Sequence, residues 1–122
     1  MFKKVNKNEV RKAKHNRIRF TLKGTSDMPR LNVYRSTNEI YAQIIDDKAG
    51  KTLCSASSKD KDLEKVVAGK TKIEQAHEVG MAIGSKAVKL GIKKVVFDRG
   101  GYIYTGRVQR LAEGARSAGL EF

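Results

Sequence analysis

RLNVYRSTNEIYAQIID, residues 30–46, alternates twice between apolar and polar side chains. Leu31 and Val33 point one way and Asn32 and Tyr34 the other, the period of a half-buried strand. Ser36-Thr37-Asn38-Glu39 makes a short turn. Ile40, Ala42 and Ile44 then share one face, and Tyr41, Gln43 and Ile45 the other. Residues 47–51 form a second turn, and Thr52 to Ser57 a third, weaker strand. Two connections this short predict an antiparallel meander.

Toward the C-terminus the period changes. Residues 58–72 are polar, with room for a single helical turn. Ala76, Gly80, Ile83, Ala87 and Leu90 recur at three and four residues, which predicts a helix from Lys72 to Leu90 ended by Gly91. Lys94 to Phe97 is a short apolar run and reads as a buried strand. It arrives after a helical crossover, so it should run parallel to one of the earlier strands. A Gly-rich turn occupies residues 98–106. Val108, Leu111, Ala112 and Ala115 stripe a last helix from Arg107 to Ala118. The order β-β-β-α-β-α predicts an α/β fold, one mixed sheet covered by helices, over residues 25–122.

Toward the N-terminus the composition changes. The chain has 122 residues, with 26 Lys and Arg against 13 Asp and Glu, a net +13. Residues 1–24 hold nine of those cations: Lys3, Lys4, Lys7, Arg11, Lys12, Lys14, Arg17, Arg19 and Lys23. Only Glu9 opposes them, so this stretch carries +8, with His15 in addition. Gly24 to Pro29 is the natural joint to the body, because Gly and Pro interrupt both helix and strand. Val10, Ile18 and Leu22, with Lys14 filling the gap, make only a thin apolar stripe. The reading is therefore a basic arm, mobile alone and helical from about Asn8 to Lys23 once a polyanion removes its self-repulsion.

Composition narrows the class. With 39% apolar and 32% charged residues, the chain is too apolar for full disorder and too charged for a membrane protein. A chain this long buries about 65% of its unfolded surface, enough for one core. No apolar run approaches the roughly 20 residues of a bilayer span, and no signal peptide is visible. One cysteine, Cys54, excludes an internal disulfide framework and a cysteine zinc cluster. The expectation is an intracellular protein without a membrane span whose partner is a polyanion.

Several enzymatic signatures fail on inspection. Gly80-Met-Ala-Ile-Gly84-Ser85-Lys86 is one residue short of a phosphate loop, orders Ser and Lys wrongly, and sits inside a helix. Small residues for close helix packing explain it better. Asp60, Asp62 and Glu64 suggest a calcium loop, but Lys65 stands where Gly is required and Thr71 where the bidentate Glu belongs. His15 joins the basic arm, His77 a polar helix face. Asp46, Asp47 and Asp98 at strand ends could hold magnesium for a nuclease, though turn acids are common and Arg99 would neutralise Asp98.

Basic and aromatic residues at the strand ends carry more weight. Arg30 and Arg35 flank the first strand, and Tyr41 lies on the face opposite Ile40 and Ile44. Arg99, Tyr102, Tyr104, Arg107 and Arg110 surround the Gly-rich turn. Glycine lets a backbone approach a phosphate, and Tyr and Arg stack on unpaired bases. Tyr102 and Tyr104 could equally cover the edge of the core.

These residues also form a recognisable series. Arg30-Leu31-x-Val33-x-Arg35 and Ile40-Tyr41-Ala42-Gln43-x-Ile45 come first. Gly91-Ile92-Lys93-x-Val95-x-Phe97-Asp98-Arg99-x-Gly101-Tyr102 and Tyr104-x-Gly106-Arg107-Val108 follow, and Ala115-Arg116-x-Ala118-Gly119-Leu120-x-Phe122 ends the chain. The series resembles the bacterial large-subunit ribosomal protein eighteen family over nearly the whole length, most loosely between residues 47 and 75. The resemblance implies a cytoplasmic, non-catalytic protein without cofactor or small-molecule substrate, monomeric outside the ribosome. It implies binding to 5S rRNA, attachment of that RNA to 23S rRNA in the central protuberance, and work beside other 5S-binding ribosomal proteins. It also implies three antiparallel strands with the fourth parallel to the first. A metal nuclease using Asp46, Asp47 and Asp98, and a DNA-packaging protein, are the competing classes.

Overall fold

The computed structural model describes residues 6–21, 24, 25 and 27–122. Its elements are α1 (Lys7–Thr21), β1 (Arg30–Arg35), β2 (Ile40–Asp46), β3 (Lys51–Ser57), α2 (Lys61–Val67), α3 (Lys72–Lys89), β4 (Val96–Asp98) and α4 (Gly106–Ser117). The sheet order is β3-β2-β1-β4. β1 pairs antiparallel with β2 and β2 with β3, while β4 joins β1 in parallel. This is the expected mixed sheet.

Alternation sets the two faces of the sheet. Leu31, Val33, Ile40, Ala42, Ile44 and Ala56 point inward and are buried. They meet Ala76, Val79 and Ile83 of α3, with Val108, Leu111 and Ala115 of α4 in the same core. The two helices touch closely because their contact surface is glycine. A Cβ on Gly80 would collide with the Leu111 carbonyl, and one on Gly114 with the His77 carbonyl. The phosphate-loop lookalike is thus a packing surface.

Two expectations change. Residues 58–72 hold more than a single turn: Leu63 and Val67, four apart, turn toward the core and make α2 a seven-residue helix. Leu90 is exposed, because α3 ends at Lys89 and the chain turns away before Leu90 can reach the core.

The other face of the sheet is polar. β1 and β4 pair Asn32 with Asp98, so both lie on this side together with Arg30 and Tyr34. Here α1 is attached. Its body-facing stripe is Arg11, His15, Ile18 and Arg19, all half-buried, whereas Val10 and Lys14 are exposed. The expected stripe is therefore met in part: Ile18 faces the body, whereas Val10 and Lys14 lie at the exposed edge of the contact. Leu22 lies outside the described residues.

Candidate nucleic-acid interface

Asp98 organises the polar face. It is fully buried at the end of β4. One carboxylate oxygen accepts from the Arg30 guanidinium at 2.6 Å and the Asn32 amide at 2.8 Å, and meets His15 Nε2 at 2.8 Å. The other accepts the Gly100 amide at 2.9 Å. Burial pushes the Asp98 carboxyl up, but the Gly100 amide, His15, Asn32 and Arg30 outweigh it and hold the group below its usual range. Arg30 also grips Asp47, through Nε at 3.0 Å and Nη2 at 3.1 Å. That grip, with help from the Gly24 amide and Arg19, lowers Asp47 as well. Burial opposes the charge on Arg30, and the two carboxylates more than restore it.

This cluster bears on two sequence expectations. Arg30 is buried and paired with both Asp47 and Asp98, so its charge is committed within the fold. The acids do not converge on a metal position. Asp46 caps its own turn through the Lys48 and Ala49 amides, while Asp47 and Asp98 bracket a guanidinium. Among the described residues no group of three or more His, Cys, Asp or Glu could hold an ion. The partner of Asp98 is Arg30, not its neighbour Arg99, whose guanidinium donates to the Tyr102 carbonyl at 2.8 Å.

The Gly-rich turn has an unexpected occupant. Gly100 and Gly101 both have positive φ, +65° and +81°. A Cβ on Gly101 would strike the Arg11 carbonyl, so the close approach this glycine permits is to the backbone of α1, not to a phosphate. Arg11 completes the seat by donating to the Gly100 carbonyl at 3.0 Å. Arg19 reaches Asp47 at 3.4 Å from the other end of the helix. The helix is thus held by a glycine seat and polar links. That explains how a chain with so thin an apolar stripe docks at all.

The remaining candidates divide. Lys12 and Arg17 are exposed on the outer side of α1, while the exposed Lys7 and Lys14 border the space between α1 and the body. Lys3, Lys4 and Lys23 lie outside the described residues. Tyr102 is 8% exposed, and its hydroxyl donates to the Arg35 carbonyl and accepts from the Arg35 amide, so it does cover the edge of the core. The Arg11 and Arg35 guanidinium groups lie 5.1 and 5.0 Å from its ring centre. Arg107 clamps the β1–β2 turn through the Ser36 and Glu39 carbonyls at 2.9 and 2.8 Å. Burial, then repulsion from Arg35, lowers its affinity for a proton. Tyr104 packs edge-on against Phe97 and accepts from Arg116, away from α1. Tyr41 meets Tyr34 at 5.8 Å on the polar sheet face.

Sequence reasoning passed over Tyr34 and Phe20. Tyr34 is 50% exposed beside Arg11, and Phe20 is 85% exposed on α1. The signal for Tyr34 was its position directly across from Tyr41, which the strand register supplies. A lone aromatic in a helix of cations was the signal for Phe20.

Polar side chains dominate this face, and α1 leaves Lys7, Lys12, Lys14 and Arg17 exposed around it. Cations of this kind suit phosphates, and exposed rings suit unpaired bases. No described helix is long and apolar enough to cross a membrane.

Comparison with known proteins agrees. The family described as "Ribosomal L18 of archaea, bacteria, mitoch. and chloroplast" matches residues 5–122. The proteins named "Large ribosomal subunit protein uL18" from Staphylococcus aureus strains JH9 and Newman are each 57% identical to this chain, over all of both sequences. With bacterial relatives so similar, its place is the cytoplasmic ribosome. The chain belongs to the ribosomal L18 family, structural proteins of the large ribosomal subunit and not enzymes.

Proposed function

We propose that the chain binds 5S rRNA and attaches it to 23S rRNA in the central protuberance, beside other 5S-binding proteins. The observation that carries this is the one-sided charge of α1. Its inner stripe is consumed by Asp98, Asp47 and the glycine seat, while Lys7, Lys12, Lys14 and Arg17 remain exposed. Phosphate contacts from such cations position a protein on RNA without reading sequence. Rings and guanidinium groups at the strand ends supply shape recognition of unpaired nucleotides.

The arm and the body act together. Polar links at a half-exposed surface contribute about 0–1 kcal/mol each, against about 1–2 kcal/mol to order each backbone residue. Docking of α1 is therefore finely balanced in the free protein, and RNA phosphates complete it by relieving the repulsion among its cations. The segment 1–24 is the RNA-binding arm, and 25–122 is the domain that orients it.

The test is a co-precipitation. Full-length chain should carry 5S rRNA onto immobilised 23S rRNA, and chain lacking residues 1–21 should retain its body but carry far less. Equal transfer by both chains, or none by the full chain, would contradict the proposal. Intact RNA after incubation with protein and magnesium separates this reading from the nuclease one. Preference for folded RNA over duplex DNA at equal salt separates it from DNA packaging.

A further inference from the structure

A groove of about 840 Å³ opens between α1, the end of β1 and the turn before α4. Lys7, Arg11, Lys14, Arg35 and Arg107 line it, and among the described residues no carboxylate does. The hydrogen bonds of Arg107 go to backbone carbonyls, as does the one from Arg11 to Gly100, so none of these bonds brings a carboxylate to the cations, and Glu39 acts on Arg107 only through space. The buried Nε of Arg107 has no partner among the described residues. Half of the Tyr34 ring is exposed on the wall, braced by Tyr41. Val10 and the 68%-exposed Ile103 add apolar surface.

We propose that this groove receives one unstacked nucleotide of the bound RNA, with its base against Tyr34 and its phosphate among Lys7, Lys14 and Arg35. The inference rests on the RNA-binding reading above and names the RNA feature it selects. Three observations favour a single nucleotide. The volume lies in the range of small-ligand sites, about 300–1,000 Å³. The lining joins an aromatic face to unpaired cations, which suits a base with its phosphate better than a phosphate alone. A paired base keeps its faces inside the helical stack and cannot reach Tyr34, so the groove distinguishes a bulged or looped nucleotide from a duplex.

The site also depends on docking. One wall is α1 itself, so the groove exists only while Gly101 seats the helix. Insertion of a nucleotide would lock the helix in place, joining shape recognition by the body to charge neutralisation by the arm.

The experiment scans 5S rRNA with a single abasic residue at each unpaired position in turn. The full chain and its Tyr34→Leu and Tyr34→Phe variants are measured against each RNA. Tyr34→Leu should bind intact 5S rRNA about tenfold more weakly than the native chain, with an unchanged salt slope, because a stacking partner and not a phosphate contact is lost. Tyr34→Phe should bind like the native chain. One abasic position should cost the native chain about the same tenfold and cost Tyr34→Leu nothing further. The groove proposal is overturned if Tyr34→Leu binds as tightly as the native chain, or if its loss multiplies with every abasic loss. Failure of the native chain to bind intact 5S rRNA would instead overturn the RNA-binding reading on which the groove rests.

Discussion

The two faces of the sheet are covered in opposite ways. On the inner face, α3 and α4 bury an apolar cluster that includes Leu31, Val33, Ile44, Ile83 and Leu111. On the outer face, α1 is fastened through Arg11, His15 and Arg19 to a carbonyl and two carboxylates. Apolar burial is non-directional and holds without a partner molecule. Polar fastening is directional, weak in water and sensitive to charge brought by a ligand. The inner face therefore maintains the fold, and the outer face is where a polyanion can change the protein's state.

The largest test of that contrast is Asp98→Ala. It strips buried Arg30 of a carboxylate and removes the His15 anchor, so the loss should be about 3–5 kcal/mol in denaturant unfolding. A loss under about 1 kcal/mol would mean that the outer cluster contributes little to the body. Ile83→Ala, on the inner face, should cost about 2–5 kcal/mol and leave the circular-dichroism signal of α1 in place.

Gly101→Ala sharpens the comparison by breaking only the seat. Its Cβ meets the Arg11 carbonyl, and a left-handed conformation strains any non-glycine residue by about 1–3 kcal/mol. Backbone NMR should show α1 released while the chemical shifts of α3 and α4 persist. An unchanged α1 would place its anchorage elsewhere.

Acid offers a smaller, graded probe. Asp98 and Asp47 are held below the usual 3.8 in the folded protein. Their contribution is therefore complete above that value and is lost as pH falls through the lower folded values. The melting temperature should drop below about pH 4 in the native chain, and this acid component should shrink in Asp98→Asn, measured by calorimetry.

The inner half was readable from sequence because its signals are local and periodic. Residues 31, 33, 40, 42 and 44 alternate, and 76, 80, 83 and 87 recur at helical spacing. The attachment of α1 was not readable, because its determinants lie about 80 residues away, at Asp98, Gly100 and Gly101. A charged stripe gives no periodic sign of where it will dock. For the same reason Arg30 and Arg107 read as free cations. Only the fold brings Asp47 and Asp98 to the first, and the carbonyls of Ser36 and Glu39 to the second. Family resemblance supplied the partner, which composition had narrowed only to a polyanion.

The central claim is that position, not total charge, makes the outer face the RNA face. It is tested by the salt dependence of 5S rRNA binding in two triple variants that each remove three positive charges. One carries Lys12→Ala, Lys14→Ala and Arg17→Ala on α1. The other carries Lys61→Ala, Lys65→Ala and Lys89→Ala on the helices of the inner side, all of them also exposed. The slope of log affinity against log salt should fall by about 2–3 for the first variant and stay at the native value for the second. Equal changes in the two slopes would contradict the account.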